Sequence, residues 1–195
     1  MTFSIEKYYK ERLKLNIFDL EKLVEQTLKV DYLLEQTFKI NNKAYIFGNG
    51  GSDGDASHFA TELVVKIKHA ITPLPVLTLN NSSIVSAISN DLGCEHVYSR
   101  QIAAYLNKDD VAIGISTSGK SKNILEAISK ANQKGGITIG LTGNSGILME
   151  IVHYKIEVPS DETQYIQEAH RIILHAMALD IYERFKTSPK SERSD

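Results

Sequence analysis

The sequence predicts an α/β fold: a five-stranded parallel sheet with helices on both faces and a helical extension ahead of the first strand. Three features point there. Short apolar, β-rich runs alternate with longer segments of helical spacing. The runs are apolar at consecutive rather than alternate positions, as strands buried on both faces are. Two of them end in loops rich in glycine and hydroxyls that lead straight into a helix.

Each element follows in order. Residues 4–40 carry apolar positions at helical spacing (Leu20, Leu23, Val24, Leu28, then Leu33, Leu34, Phe38), which reads as two helices or one bent helix. "KAYIFGN" (43–49) reads as a buried strand and "GDASHFATELVVKIKH" (54–69) as the helix after it. A second strand is expected at 74–80, helices at 82–91 and 96–107, and a third strand at 110–117. The helix at 120–135 ends at Gly135-Gly136, a common way for a helix to stop. A strand at 137–143, a short helix at 147–153, a strand at 154–160 and a long helix at 161–186 complete the pattern. One domain is expected over 1–186, the N-terminal helices (1–40) included. The polar tail 187–195 has too little apolar content to join it.

Composition narrows the function. The chain has 195 residues, 42% hydrophobic and 24% charged, enough to bury a sizeable core. A formal net charge of -2 gives no basic excess for nucleic acid. No run of 18 apolar residues exists to form a spanning helix, and "MTFSIEKYYKERLKLN" lacks a secretory apolar segment. Cys94 is the single cysteine, so no internal disulfide forms. The expectation is a cytoplasmic protein with no membrane or nucleic-acid partner.

The two glycine-rich loops are the first chemical signal. Gly48-Asn49-Gly50-Gly51-Ser52 opens one helix, and Ser116-Thr117-Ser118-Gly119-Lys120-Ser121 opens another. Free N–H groups and the helix dipole favour an anion at such places, glycine lets the backbone come close, and hydroxyls add donors. In parallel sheets ligands sit outside the carboxyl ends of the strands, where both loops fall. The second loop also matches G-x-x-x-x-G-K-[ST] from Gly114 to Ser121. Gly114 lies within the strand pattern, however, and Ile115 to Ser118 contain three hydroxyls and no glycine. None of "KAYIFGN", "PVLTLN" and "ITIGLTG" ends in the Asp that a nucleotide-bound Mg²⁺ needs. A phosphate is expected here, but no nucleotide.

The second signal is a set of acid–base groups. His58 and Glu62 lie four apart, on one face of the helix behind the first loop. The terminal helix carries Gln167, Glu168, His170 and His175. Gln167 and His175 are eight apart, roughly 12 Å along a helix. They therefore contact different parts of a ligand, or a second subunit supplies one of them.

Taken together, "GNGGSDGDASHFATEL", "SNDLGC", "GISTSGKSKN" and "YIQEAHRIILH" resemble the phosphoheptose isomerase family of sugar isomerase (SIS) domain proteins, in order and spacing, over roughly residues 10–185. The resemblance implies a flavodoxin-like αβα sandwich assembled as a homotetramer, with active sites at subunit interfaces. It implies an aldose–ketose isomerase that converts D-sedoheptulose 7-phosphate to D-glycero-D-manno-heptose 7-phosphate through an enediol, for the heptose of bacterial surface polysaccharide. Carried over by position, Ser52, Ser116, Thr117, Ser118 and Ser121 hold the phosphate. Asn49, Gly50, Gly51, Asp91 and Gln167 contact the substrate. His58, Glu62, Gln167 and His175 hold Zn²⁺, with Glu62 as base and His175 as its acid–base partner. Lys66 and Tyr165 depart from the family's pattern, where arginine is common, and Asp53 replaces a small residue. The competing reading is a non-catalytic SIS protein, either a sugar-phosphate sensor or a binder of the replication initiator. It would dispense with the acid–base set.

Overall fold

A computed structural model of the chain describes Ser4, residues 20–68 and residues 72–186. The expected helical segment before Leu20, residue 69 and the 187–195 tail lie outside the described residues. Five parallel strands form one sheet: β1 (Ala44–Gly48), β2 (Val76–Thr78), β3 (Val111–Ile115), β4 (Ile137–Thr142) and β5 (Tyr154–Glu157). Their spatial order is β2-β1-β3-β4-β5. The helices are α1 (Leu20–Lys39), α2 (Gly51–Val64), α3 (Ser82–Asp91), α4 (Ser99–Tyr105), α5 (Lys122–Gln133), α6 (Leu148–Ile151) and α7 (Thr163–Phe185), with one 3-10 turn at Cys94–His96.

The pleat divides the strand side chains between two cores. Ala44 and Ile46 of β1, with Val111, Ile113 and Ile115 of β3, face α1, α2 and α7. Tyr45, Phe47 and Ala112 face α4 and α5 on the other side. Every residue of β1 and β3 is buried, which explains their unbroken apolar runs. β2 is a three-residue edge strand with Leu77 exposed, shorter than its apolar run suggests because only its inner side has a neighbour.

Other boundaries also differ from expectation. Helix α2 runs from Gly51 to Val64 rather than over 54–69, so Gly51 already belongs to its first turn and Gly50 is its N-cap. The expected helix at 96–107 divides into the 3-10 turn and α4, after Gly93 takes the positive φ of 108°. Strand β5 ends at Glu157, where its pairing with β4 stops. No helix among the described residues is long and apolar enough to cross a membrane.

The strand order decides where chemistry can sit. Chain direction across the sheet reverses between β1 and β3, which are neighbours. The crevice outside their carboxyl ends is the usual ligand site of such sheets. Both glycine-rich loops open there, one after Gly48 and one after Ile115.

Candidate active site

The first loop turns sharply because its backbone requires it. A Cβ on Gly48 would stand 2.8 Å from the carbonyl carbon of Ser52, so only glycine lets α2 begin so close to β1. Gly50 takes φ 55°, and the Ser52 amide donates to the Asn49 carbonyl at 3.0 Å. The Ser52 side chain is buried beneath the turn, whereas Asn49, Gly50 and Gly51 are exposed. Tyr98 anchors the loop from below by donating its hydroxyl to the Gly48 carbonyl.

In the second loop Ser116 donates to the Ser121 hydroxyl at 3.0 Å, and the Ser118 hydroxyl accepts from the Lys120 amide at 3.2 Å. The Thr117 carbonyl accepts from the Gly143 amide at 3.0 Å, so the loop is strapped to the end of β4. Ser121 stands at the N-cap of α5 without spending its side chain on the cap. Gly114 is a packing residue: a Cβ there would meet Ile124 at 2.8 Å, so its absence lets α5 lie on the sheet. The first glycine of the apparent nucleotide motif is thereby accounted for by helix packing. Lys120 is exposed.

The acid–base residues meet where α2 packs on α7. His58 Nε2 and His175 Nε2 lie 2.8 Å apart, and Glu62 Oε1 stands 3.3 Å from each. Glu62 is 8% exposed, and its Oε2 is buried with no hydrogen-bond partner among the described residues. Burial pushes the Glu62 carboxyl up to about 7, and the positive charge of Arg171 pulls it only partly back. His175 is held below the usual imidazole range, first by burial and then by the charges of His58 and Arg171. One donor atom from each of the three lies within 4.8 Å of the others. Two imidazoles and a carboxylate with a spare oxygen suit a zinc-type ion.

Gln167 lies elsewhere on the wall. Its amide nitrogen comes within 2.7 Å of where a Cβ on Gly51 would stand, and Asp55, Glu168, Arg171 and Ile172 line the same 510 Å³ cavity. It is two turns of α7 from His175, as the sequence spacing requires. Asp91 is exposed at the end of α3 and accepts from the Asn90 side chain at 2.7 Å. Lys66 and Tyr165 are exposed.

Two pairings escaped the sequence reading. Arg171 donates to buried Asp55 at 2.5 Å, tying α7 to the first turns of α2 and placing a cation near Glu62. Asn49 and Asn123 exchange hydrogen bonds between their side chains at 3.0 and 2.8 Å. No periodicity marks either pair, since their members lie on different elements. Asp53, unexplained by sequence, accepts from Asn80, which also donates to Ser57, so it links α2 to the end of β2.

Known proteins resemble this chain in both sequence and fold. A family model described as the SIS domain matches residues 9–143, more than half of the chain. A phosphoheptose isomerase of Aquifex aeolicus is 40% identical over 179 residues, covering 91% of this chain and 94% of that one. Phosphoheptose isomerase 1 of Campylobacter jejuni is 43% identical over 183 residues, covering 93% and 98%. Among solved structures, a phosphoheptose isomerase from Neisseria gonorrhoeae superposes with a TM-score of 0.79 at 34% identity, covering 92% of this chain and 93% of that one.

Proposed function

The chain belongs to the phosphoheptose isomerase family of SIS-domain enzymes, and from that premise we propose that it interconverts D-sedoheptulose 7-phosphate and D-glycero-D-manno-heptose 7-phosphate. The observation that carries the proposal is the His58–Glu62–His175 cluster at the α2–α7 contact, with Glu62 lifted to about 7 by burial. The product serves the heptose of bacterial surface polysaccharide.

Ketose-to-aldose isomerisation moves one proton between C1 and C2 and another between their oxygens, through an enediol. Glu62 moves the carbon proton. A carboxyl that titrates near neutrality can both take and return a proton at little cost, and Oε2 has no hydrogen bond among the described residues to give up. His175, kept neutral by burial, has one ring nitrogen that donates and one that accepts. It serves the oxygens. Ser116, Thr117, Ser118 and Ser121, with the α5 N-terminus behind them, hold the phosphate. Ser52 supports this cradle from its buried place, while Asn49, Gly50, Gly51, Asp91 and Gln167 face the sugar.

His58, Glu62 and His175 would hold a Zn²⁺, and Gln167 would join them from a neighbouring copy, since roughly 12 Å of helix separates it from His175 in one chain. Held there, it would supply Lewis-acid polarisation of the sugar carbonyl. The assembly is a homotetramer with sites at its interfaces.

The test is incubation with sedoheptulose 7-phosphate, with and without a chelator. Aldose product is expected, with turnover lost on chelation and restored by Zn²⁺. Binding without product would favour a non-catalytic sugar-phosphate sensor.

A further inference from the structure

We propose that Asn123 is a positioning residue for this reaction: its carboxamide, paired with that of Asn49, joins the two glycine-rich loops and fixes which atoms Asn49 offers to the sugar. The inference rests on the functional reading above, in which Asn49 contacts the substrate.

The geometry is reciprocal. Asn49 Nδ2 donates to Asn123 Oδ1 at 3.0 Å, and Asn123 Nδ2 donates to Asn49 Oδ1 at 2.8 Å. The pair spans 74 residues of sequence and bridges the first turn of α5 to the loop after β1, across the crevice between β1 and β3. Both side chains line a 520 Å³ cavity together with Ser121, the last hydroxyl of the phosphate loop. That volume lies within the usual range of small-molecule sites.

A polar inventory shows what remains for a ligand. Each carboxamide has two N–H donors and two acceptor lone pairs, and the pair uses one of each per residue. Asn123 Oδ1 spends its second lone pair on the Ile124 amide at 3.0 Å. Asn123 is thereby locked to its own helix and keeps one N–H. Asn49 keeps one N–H and one lone pair, pinned in direction by its partner. A group that both donates and accepts at a fixed angle matches a sugar hydroxyl. Without Asn123, the exposed Asn49 side chain would rotate freely and present either end. Loss of the pair would then appear as lost preorganisation at the site. It would leave the cores untouched, because neither residue belongs to them.

The test is a double-mutant cycle on the full chain with sedoheptulose 7-phosphate. Asn49→Ala and Asn123→Ala should each lower kcat/KM about 10-fold, and the double variant should fall about 10-fold rather than about 100-fold. Unfolding temperatures should move by less than about 3 °C throughout. Asn123→Ser keeps an oxygen for the Ile124 amide but cannot make both bonds to Asn49, so it should behave like Asn123→Ala. Multiplying losses, an Asn123→Ala enzyme of wild-type kcat/KM, or full activity in Asn123→Ser would each overturn the proposal. A wild-type chain that binds the sugar phosphate without turnover would sink the isomerase reading, and the same cycle read in Kd would still decide the coupling. A wild-type chain that does neither overturns both.

Discussion

Helix α7 carries one unusual carboxyl environment at its middle and another in its last turns, and the two differ in kind. At the one beside His175, Glu62 is lifted to about 7 by burial. At the other, Asp31 of α1 is fully buried and lifted further, to about 9, by burial and by the Asp180 carboxyl beside it. Arg184 stands 3.0 Å from Asp31 and 2.8 Å from Glu35, and also pairs with Asp180. Perturbed proton affinity alone would rank Asp31 above Glu62. What separates them is the company. Glu62 faces two partly open imidazoles, so a ligand or metal can complete it. The Asp31 cluster contains its own cation, so its purpose ends at joining α1 to α7. A displaced pKa marks a group in need of compensation, and the openness of its partners tells a site from a clamp.

The largest expected effects test that distinction directly. Glu62→Gln should lower kcat by about 10³-fold or more through loss of the base, with stability unchanged or raised, since a buried ionisable group is removed. Arg184→Met should do the reverse. It strands Asp31 and Asp180 together without their cation, while Glu35 keeps Lys39 at 2.6 Å, and should cost about 3 kcal/mol of stability, with kcat within about 2-fold of wild type. Steady-state kinetics and urea unfolding on both variants decide the matter. If Arg184→Met destroyed turnover at full stability, the far cluster would be functional and the contrast would fail.

How far this was legible in the sequence depends on the kind of pattern involved. Strands β1 and β3 declared themselves because burial on both faces leaves unbroken apolar runs such as "AYIFG" and "VAIGI". His58 and Glu62 were readable as a pair because four residues is one helical turn. That His175 would join them could come only from resemblance, since 113 positions separate it from Glu62 and no local rule links α2 to α7. Arg171–Asp55, Asn49–Asn123 and the Asp31 cluster are contacts between elements, set by how the layers stack. Gly114 is the instructive case. As a letter it completed a nucleotide motif, whereas in the fold it is the gap that Ile124 fills.

A smaller effect sharpens the same point within one loop. Ser121→Ala should raise KM about 10-fold by removing a donor to the phosphate, and Ser118→Ala should act in the same direction. Lys120→Ala should change KM less than about 2-fold, because that side chain is exposed and in a nucleotide site it alone would be indispensable. The opposite ranking, with ATP competing for the site, would restore the nucleotide reading.

The smallest effect concerns a third titrating group, His170, which lies on α7 ahead of both. It is fully buried, and its Nε2 lies 3.2 Å from the Thr142 carbonyl, so it donates there as a neutral ring. Burial lowers it to about 4 from an ordinary 6.5. Below pH 6.5 the unfolded chain takes up a proton at this position that the folded chain refuses until about pH 4. Its contribution to stability is therefore present above pH 6.5 and lost as pH falls towards 4. Asp31 acts with the opposite sign. Its folded form keeps a proton that the unfolded chain releases above about 3.8, so its contribution is lost as pH rises towards 9. Each slope is bounded at about 1.4 kcal/mol per pH unit. Between pH 4 and 6.5 these two slopes oppose one another, so their sum should leave wild-type urea midpoints little changed there and falling from pH 6.5 towards 9. His170→Gln keeps a donor for Thr142 and should leave midpoints falling with pH across the whole range, while Asp31→Asn should flatten the alkaline side and leave midpoints rising with pH from 4 to 6.5. A profile below pH 6.5 unchanged by His170→Gln would mean that the ring is protonated in the folded chain. His170 would then belong with the open, ligand-seeking groups of α7 rather than with its closed ones.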